Sequence, residues 1–343
     1  MITTQELAKL AGVSQSTVSR SLNNSPRISA TTREKIQTLA KQHGYNNKKK
    51  MRFSAHPNNN NRNGGIAIVI GADHMRAPLE LYLEYLTNEV IHQINHHQYY
   101  ATILPFDASN ESLQHIQATI DNGDIKGVVI IYHDYQTALE KYLTAIHIPH
   151  IYTQYFSRTM KKNLNIIDVD HFTGGALATN HLISLGHKRI CTLTNSGSDF
   201  DERTDGYLSA LKKHGLPIHP EWIIHTGNTY ENGYNTITKH WDALQNCTAF
   251  FAQTDLVGIA VINFLKDQGF SVPAQYSVIG FDGISEGAYC RPELTTILQP
   301  TFAIAETSLK RLTYLIEHQD NGASHSFVPP QLFVRKSTAK AVE

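Results

Sequence analysis

The 343-residue chain is poor in several features, and each absence removes a class of protein. It has three cysteines, Cys191, Cys247 and Cys290, far apart and outside any CxxC spacing. That pattern leaves no disulfide framework and no zinc ribbon, and it fits a reduced cytoplasm. No run approaches the roughly 18 apolar residues of a membrane helix, and the N-terminus has no apolar signal core, so neither a membrane partner nor export is expected. Neither a GxGxxG after a strand nor a GxxxxGK[ST] occurs, which argues against dinucleotide and ATP chemistry. His92 and His96 stand four apart on an expected helix, but no carboxylate completes an HExxH site. Asp168-Val169-Asp170 lacks the Gly and Glu of a calcium loop. No metal and no cofactor are therefore expected. Gly283-Ile284-Ser285-Glu286-Gly287 does spell GxSxG, but a nucleophile elbow needs an immediate strand-to-helix turn with an acid and a His later in the chain. Catalysis is not expected, and an α/β hydrolase stays a distant alternative.

Net charge is missing too, because two opposite halves cancel. Residues 1–62 hold 11 Lys and Arg against two acids, Glu6 and Glu34, a balance of +9. The rest holds 19 bases and 28 acids, a balance of −9. A basic head on an acidic body is the electrostatic footprint of nucleic-acid binding.

The head itself carries helix punctuation. Thr3 and Glu6 form a capping-box pair, predicting a helix over Thr4–Ala11 that Gly12 and Val13 end. Ser14 is placed to cap a second helix through Leu22, and Ser29 a third that stops near His43, where Gly44 offers a left-handed cap. Leu7, Ala11, Val13, Val18, Leu22, Ile28, Ile36 and Leu39 recur at helical spacing and should meet in one small core. That packing turns Gln15, Ser16, Ser19, Arg20 and Asn23 outward. Gln and Arg make bidentate contacts to adenine and guanine in the major groove, so this face, with Thr17 beside it, suits base edges. Ser14, Ser29, Thr32 and Tyr45 are of the kind that position a domain on phosphates. A solvated three-helix head that touches nothing is the alternative.

Residues 4–45, TQELAKLAGVSQSTVSRSLNNSPRISATTREKIQTLAKQHGY, resemble the head of the lactose/galactose repressor family, AGVSQSTVSRSLNN most specifically. The resemblance continues through IDVDHFTGGALATNHLISLGHKRI (167–190), DERTDGYLSAL (201–211), TDLVGIAVINFLKDQGFSVPAQYSVIGFDGI (254–284) and RPELTTILQP (291–300). It is weakest at 46–64 and around 74–125. It implies an α/β architecture: a three-helix helix-turn-helix head (1–45), a basic Asn-rich linker (46–64) and a bilobed body like the periplasmic binding proteins (65–343). Lobe 1 would take about 65–155 and 297–323, and lobe 2 about 157–294 and 326–340, with crossings near Tyr155–Ser157, near Leu294–Ile297 and before Phe327. The family usually has a Leu-bearing hinge helix in the linker. Here no Leu occurs between Tyr45 and Gly65; Met51 or Phe53 could act as the apolar wedge, or the Lys48–Arg52 stretch could be a plain polybasic tether.

The body's own pattern agrees with that architecture. Short β-branched runs (66–70, 127–131, 167–169, 189–193, 249–252) alternate with amphipathic stretches (79–97, 136–146, 172–185, 200–214, 255–268), the pattern of parallel sheets covered by helices. About ten such units are too many for one open sheet, so two lobes are expected. Ligands of open α/β lobes sit at the carboxyl ends of the strands. The loops there bear Asp73, Gln154, Tyr155 and Asp255. The resemblance makes Arg203 and Asp255 effector contacts and places Gln154 and Tyr155 where relatives often have an Asp and an aromatic residue. Asn228 falls where several relatives have a stacking aromatic, leaving Tyr82 or Tyr230 as substitutes, and Gln299 completes the candidate set. Arg203 could instead pair with Asp199 or Asp201, and Tyr155 could simply pack at the hinge.

These features together predict a cytoplasmic, DNA-binding regulator, a repressor of a carbohydrate operon that senses a sugar-like effector. Its DNA partner would be a near-palindromic operator bound by a homodimer, since one helix-turn-helix contacts too few bases to select a site. Leu79, Leu83, Leu86, Val90 and Ile94 form a stripe suited to the dimer interface or to the lobe's own core. After QLFVRKSTAKAVE no heptad follows, so no tetramer-forming helix is expected. A solute-binding protein without DNA function is the rival.

Overall fold

The computed structural model describes residues 4–14, 17–18, 21, 29–42, 62–72, 81–131, 137–153, 164–318 and 322–342. The chain divides into two compact units, Met1–Asn60 and Asn61–Glu343.

In the first unit α1 spans Thr4–Ala11 and α2 spans Ala30–Gln42, with Thr17, Val18 and Ser21 helical between them. α1 stops because Gly12 takes φ +69°, the left-handed conformation that lets Val13 N–H reach Ala8 O at 3.0 Å. Leu7, Val18 and Ile36 are fully buried and form one cluster with Ala8, Ala11 and Ala40, with Val13 and Leu39 against it. Each large side chain contributes about 1.5–3 kcal/mol by leaving water. Leu22 and Ile28, expected in this core, lie outside the described residues, as do Thr3 and the linker up to Asn61.

The second unit holds two six-stranded sheets. The first sheet is built from β1 (Gly65–Gly71), β2 (Tyr100–Phe106), β3 (Ile125–Ile131), β4 (His150–Thr153), β5 (Ile166–Val169) and β11 (His325–Val328). Its order is β11-β5-β4-β3-β1-β2, and every neighbouring pair is parallel. Helices α3 (Leu81–His96), α4 (Asn110–Asn122), α5 (Thr137–Ala145) and α11 (Thr301–His318) accompany it. The second sheet is built from β6 (Ile190–Thr194), β7 (Ile223–His225), β8 (Ala249–Ala252), β9 (Ser277–Asp282), β10 (Thr295–Leu298) and β12 (Gln331–Phe333). Its order is β12-β10-β9-β8-β6-β7, parallel except for β12, which runs antiparallel along the β10 edge. Helices α6 (His171–Ser184), α7 (Ser198–Lys213), α8 (Tyr230–Leu244), α9 (Asp255–Asp267) and the short α10 (Glu286–Tyr289) accompany this sheet.

Alternation along the strands feeds two cores per lobe. In β1, Ile66 and Ile68 join the cluster shared with α3 and α11, whereas Ala67 and Val69 join the cluster on the opposite face. In β8, Phe250 and Ala252 face one way and Ala249 and Phe251 the other. Burial on both faces explains why these strands read as continuous apolar runs.

Two expectations are corrected. The lobe boundaries move: β5 pairs with β4 and β11 in the first sheet, so the chain crosses after Val169, at Asp170, and not near Tyr155–Ser157. β10 belongs to the second sheet and the crossing follows it at Gln299–Pro300. β11, with Phe327, belongs to the first sheet, and the last crossing is Pro329–Pro330. The pairing of a four-residue strand is decided by partners far away in sequence, which its own letters do not carry. The helix stripe is also resolved: Leu83, Leu86, Val90 and Ile94 are at most 3% exposed and fill the first lobe's own core, so they are not an interface. Leu79 lies outside the described residues.

Candidate functional site

The head presents two capped helix starts. Ser14 Oγ accepts from Thr17 N–H at 3.2 Å and shares a 2.8 Å hydrogen bond with Thr17 Oγ1. Ser29 Oγ accepts from Thr32 N–H at 3.3 Å and donates to Thr32 Oγ1 at 2.7 Å. Ser14 and Ser29 are exposed. Hydroxyl groups and free amides at helix starts suit phosphate oxygens. Gln15, Ser16, Ser19, Arg20, Asn23 and Tyr45 lie outside the described residues.

In the body a polar set gathers where the chain first crosses between lobes. Gly175 on α6 and Gly206 on α7 let these helices touch backbone to backbone: a Cβ on Gly175 would stand 2.0 Å from Arg203 O, and one on Gly206 2.1 Å from Phe172 O. That contact fixes Arg203, which is 4% exposed. Its Nη1 donates to Gln253 O at 2.5 Å, its Nη2 to Asp199 Oδ2 at 3.2 Å and its Nε to His171 Nδ1 at 3.3 Å. The guanidinium lies 4.0 Å over the Phe281 ring and 4.7 Å from that of Phe200. Because arginine only donates, His171 Nδ1 must accept, which puts the ring proton on Nε2, 3.5 Å from Asp168 Oδ1. Burial and the nearby guanidinium hold His171 down to about 3, so the ring is neutral. Burial lifts Asp168 to about 8, so the 3.5 Å approach is not an ion pair at neutral pH.

Asp282 closes the set at the end of β9. It takes φ +126°, and its Oδ1 accepts from Gln299 Nε2 at 2.8 Å. Burial raises it to about 7 against the pull of Arg203 and Gln299. Gln299 is 1% exposed, and its Oε1 is buried without a hydrogen-bond partner among the described residues. The arrangement offers a ligand carboxylate and amide acceptors, residual guanidinium donors and an aromatic ring, a set that binds hydroxyl groups.

The two units match two separate family models. Residues 3–47 match "Bacterial regulatory proteins, lacI family", and residues 179–338 match "Periplasmic binding protein-like domain". The HTH-type transcriptional repressor PurR of Haemophilus influenzae is 27% identical over 347 residues, 98% of each chain. The chain thus joins a lacI-type helix-turn-helix domain to a periplasmic-binding-protein-like domain. Among solved structures, the transcriptional regulator CelR–cellobiose complex shares the fold with a TM-score of 0.72 at 24% identity, covering 98% of this chain and 100% of that one. The lac repressor dimer bound to operator and the anti-inducer ONPF has a TM-score of 0.68 at 21% identity, covering 98% and 99%.

In this chain the candidate effector residues separate into groups. Arg203 and Gln299 come together through Asp282, and Asp199, not Asp201, is the arginine's ion-pair partner. Asp255 is fully buried and turned inward: its Oδ2 accepts from Gly283 and Ile284 N–H, and its Oδ1 from Thr296 Oγ1. Burial first, then the charge of Asp282, raises its carboxyl well above the ordinary value. Tyr82 sits in the first lobe's core, 8% exposed. Asn228 is half-buried in the loop before α8, and Tyr230 accepts from Asn263 Nδ2 at 3.0 Å while stacking on Tyr234. Asp73, Gln154 and Tyr155 lie outside the described residues. Reading of the sequence missed Asp282 and His171. Asp282 stood in plain sight at the end of the SVIGFD run, where a strand's carboxyl end marks a ligand position; His171 carried no such signal.

Proposed function

We propose that this chain is a sequence-specific DNA-binding transcriptional repressor that acts in the cytoplasm as a homodimer on a near-palindromic operator. A sugar-like effector held between the lobes changes its affinity for that operator. The observation that carries the reading is the joint one: a lacI-type head with capped, exposed helix starts in the same chain as two parallel-sheet lobes whose strand ends gather Arg203, Asp282 and Gln299. The CelR structure holds cellobiose and the lac repressor structure is a dimer on operator, which supports testing carbohydrates and duplex DNA first. Gln15, Arg20 and Asn23 are proposed to read base edges, and Ser14, Ser29, Thr32 and Tyr45 to hold phosphates. The body is proposed to bind its ligand without converting it.

An effector can move the operator equilibrium only by binding one arrangement of the lobes better than another. Purified full-length protein should select a two-fold duplex from a random pool. A thermal-shift screen against sugars and nucleosides should find a ligand that raises Tm, since ligand at about 100 times Kd adds about 2.7 kcal/mol. The same ligand should change duplex affinity and be recovered unaltered. Protein that prefers no duplex over random competitor, with or without those compounds, would sink the proposal.

A further inference from the structure

The stretch that spells GxSxG ties the second lobe to the first. Its backbone is fixed within its own lobe: Gly283 and Ile284 donate to Asp255 Oδ2 at 2.8 and 2.9 Å, and Thr296 Oγ1 donates to Oδ1 at 2.6 Å. Gly283 takes φ +79° against β10, where a Cβ would meet Leu298 Cδ1 at 2.4 Å. From that anchored base the next three residues reach across. Ile284, 2% exposed, joins the first lobe's apolar cluster of Ile66, Leu86 and Ile304, against which Leu256 of α9 also packs. Ser285 Oγ lies 2.6 Å from the Oη of Tyr85 on α3, and Tyr85 Oη donates to Glu286 Oε2 at 3.1 Å. Ser285 Oγ also lies 3.3 Å from Glu286 Oε2, so two proton arrangements link the three: Ser285 donates to Tyr85 and Tyr85 to Glu286, or Tyr85 donates to Ser285 and Ser285 to Glu286. The phenol of Tyr85 is thus the group that ties Ser285 and Glu286 to the first lobe.

We infer that Tyr85, Ser285 and Glu286 form a clasp that, with Ile284 seated beside them, holds the lobes in the drawn-together arrangement. These are positioning residues. They set the balance between lobe arrangements whatever the cleft binds, so the inference stands apart from the identity of the ligand. Asp255 acts through them, since its carboxylate keeps the loop in reach.

The clasp is tested on the full chain without DNA or effector. Spin labels go on Asn122→Cys of α4 and Lys213→Cys of α7, both exposed, in a Cys290→Ser background; the other two cysteines are buried. Dipolar spectroscopy then reads the distance between lobes. With labelled chains diluted in excess unlabelled protein, so that a dimer carries at most one labelled chain, the parent should give one narrow distribution. Tyr85→Phe removes the shared hydroxyl and should lower the ratio of drawn-together to separated molecules roughly two- to tenfold, the range of one ordinary hydrogen bond. Glu286→Ala should do the same, while Glu286→Gln, which keeps an acceptor, should restore most of the narrow peak. Tm should barely move in Tyr85→Phe, separating a clasp from a general loss of fold. Distributions for Tyr85→Phe and Glu286→Ala that superimpose on the parent would overturn the inference.

Discussion

Arg203 is held from three directions, by a carbonyl, a carboxylate and an imidazole, before any ligand is considered. A lysine there could not reproduce a planar fork, so this position is chemically narrow. A different pair offers the clearest pH test. His150 Nε2 meets Glu140 Oε1 at 3.1 Å, its Nδ1 meets Ile148 O at 2.9 Å, and Tyr152 Oη donates to Glu140 Oε2 at 2.6 Å. Both ring nitrogens face acceptors, so the charged ring fits best. Burial pulls His150 down, but the Glu140 hydrogen bond and charge leave it above its ordinary 6.5; burial likewise opposes Glu140, which those contacts leave below 4.5. The histidine's contribution is therefore complete below pH 6.5 and fades as pH rises through its raised value. The glutamate's is present above pH 4.5 and fades as pH falls through its lowered value. Denaturation at a series of pH values should show Glu140→Gln flattening the decline above pH 6.5; an unchanged slope would remove the pair from the account. In the head, Arg20→Ala should cost about 1–3 kcal/mol on the selected duplex and relax preference at one base pair, measured by competition with single-base variants. The letters gave Arg203 and Gln299 but not their meeting point, because the positive φ of Asp282 is set by the loop it enters. They also offered Asp255 and Tyr82 for a cleft, although both side chains turn inward; residue type states what a group can bond, not which way it points.

Helices and loops place these groups, and the tightest junction is that of α6 and α7. Gly175→Ala would drive a methyl into Arg203 O, a backbone atom that cannot step aside alone. The helices must part, costing about 1–3 kcal/mol or more and carrying Arg203 off Gln253 and His171. Denaturant midpoints and effector affinity should therefore fall together. Asp255→Ala should act through a different element, leaving two loop N–H groups and the Thr296 hydroxyl without their acceptor. A loss of about 2–3 kcal/mol is expected, with faster amide exchange at Gly283 and Ile284. Normal exchange there would show that the loop keeps its shape unaided. At this scale much was legible: α1, α2 and α9 fall within a residue of their expected spans because capping Ser29 and Thr254 and the left-handed Gly12 and Gly269 mark them locally. The lobe to which Ile166–Val169 belongs was not legible, since that depends on pairing with His325–Val328, a contact made only once the chain has returned. β2, with Pro105 and a partly exposed edge, gave too weak an alternation to be singled out.

The whole chain separates charge along its length, and the proposed DNA contact inherits that division. Affinity for duplex DNA should fall steeply with salt, the logarithmic slope losing about 0.9 for each Lys or Arg contact to phosphate removed, as in Lys48→Ala of the basic linker, whereas the uncharged Thr32→Ala should weaken binding and leave the slope unchanged. Sedimentation should find two chains per duplex; a single chain bound at full affinity would contradict the proposed dimer. The body has its own geometric constraint in the three crossings at Asp170, Gln299–Pro300 and Pro329–Pro330. Proline fixes φ near −65° and restricts the residue before it, so two of these three links have few torsions to spend. Links this short, two of them carrying proline, favour a hinge-like rotation of one lobe against the other over a long slide. A molecule that enters between the lobes would then be reported chiefly as a change of angle.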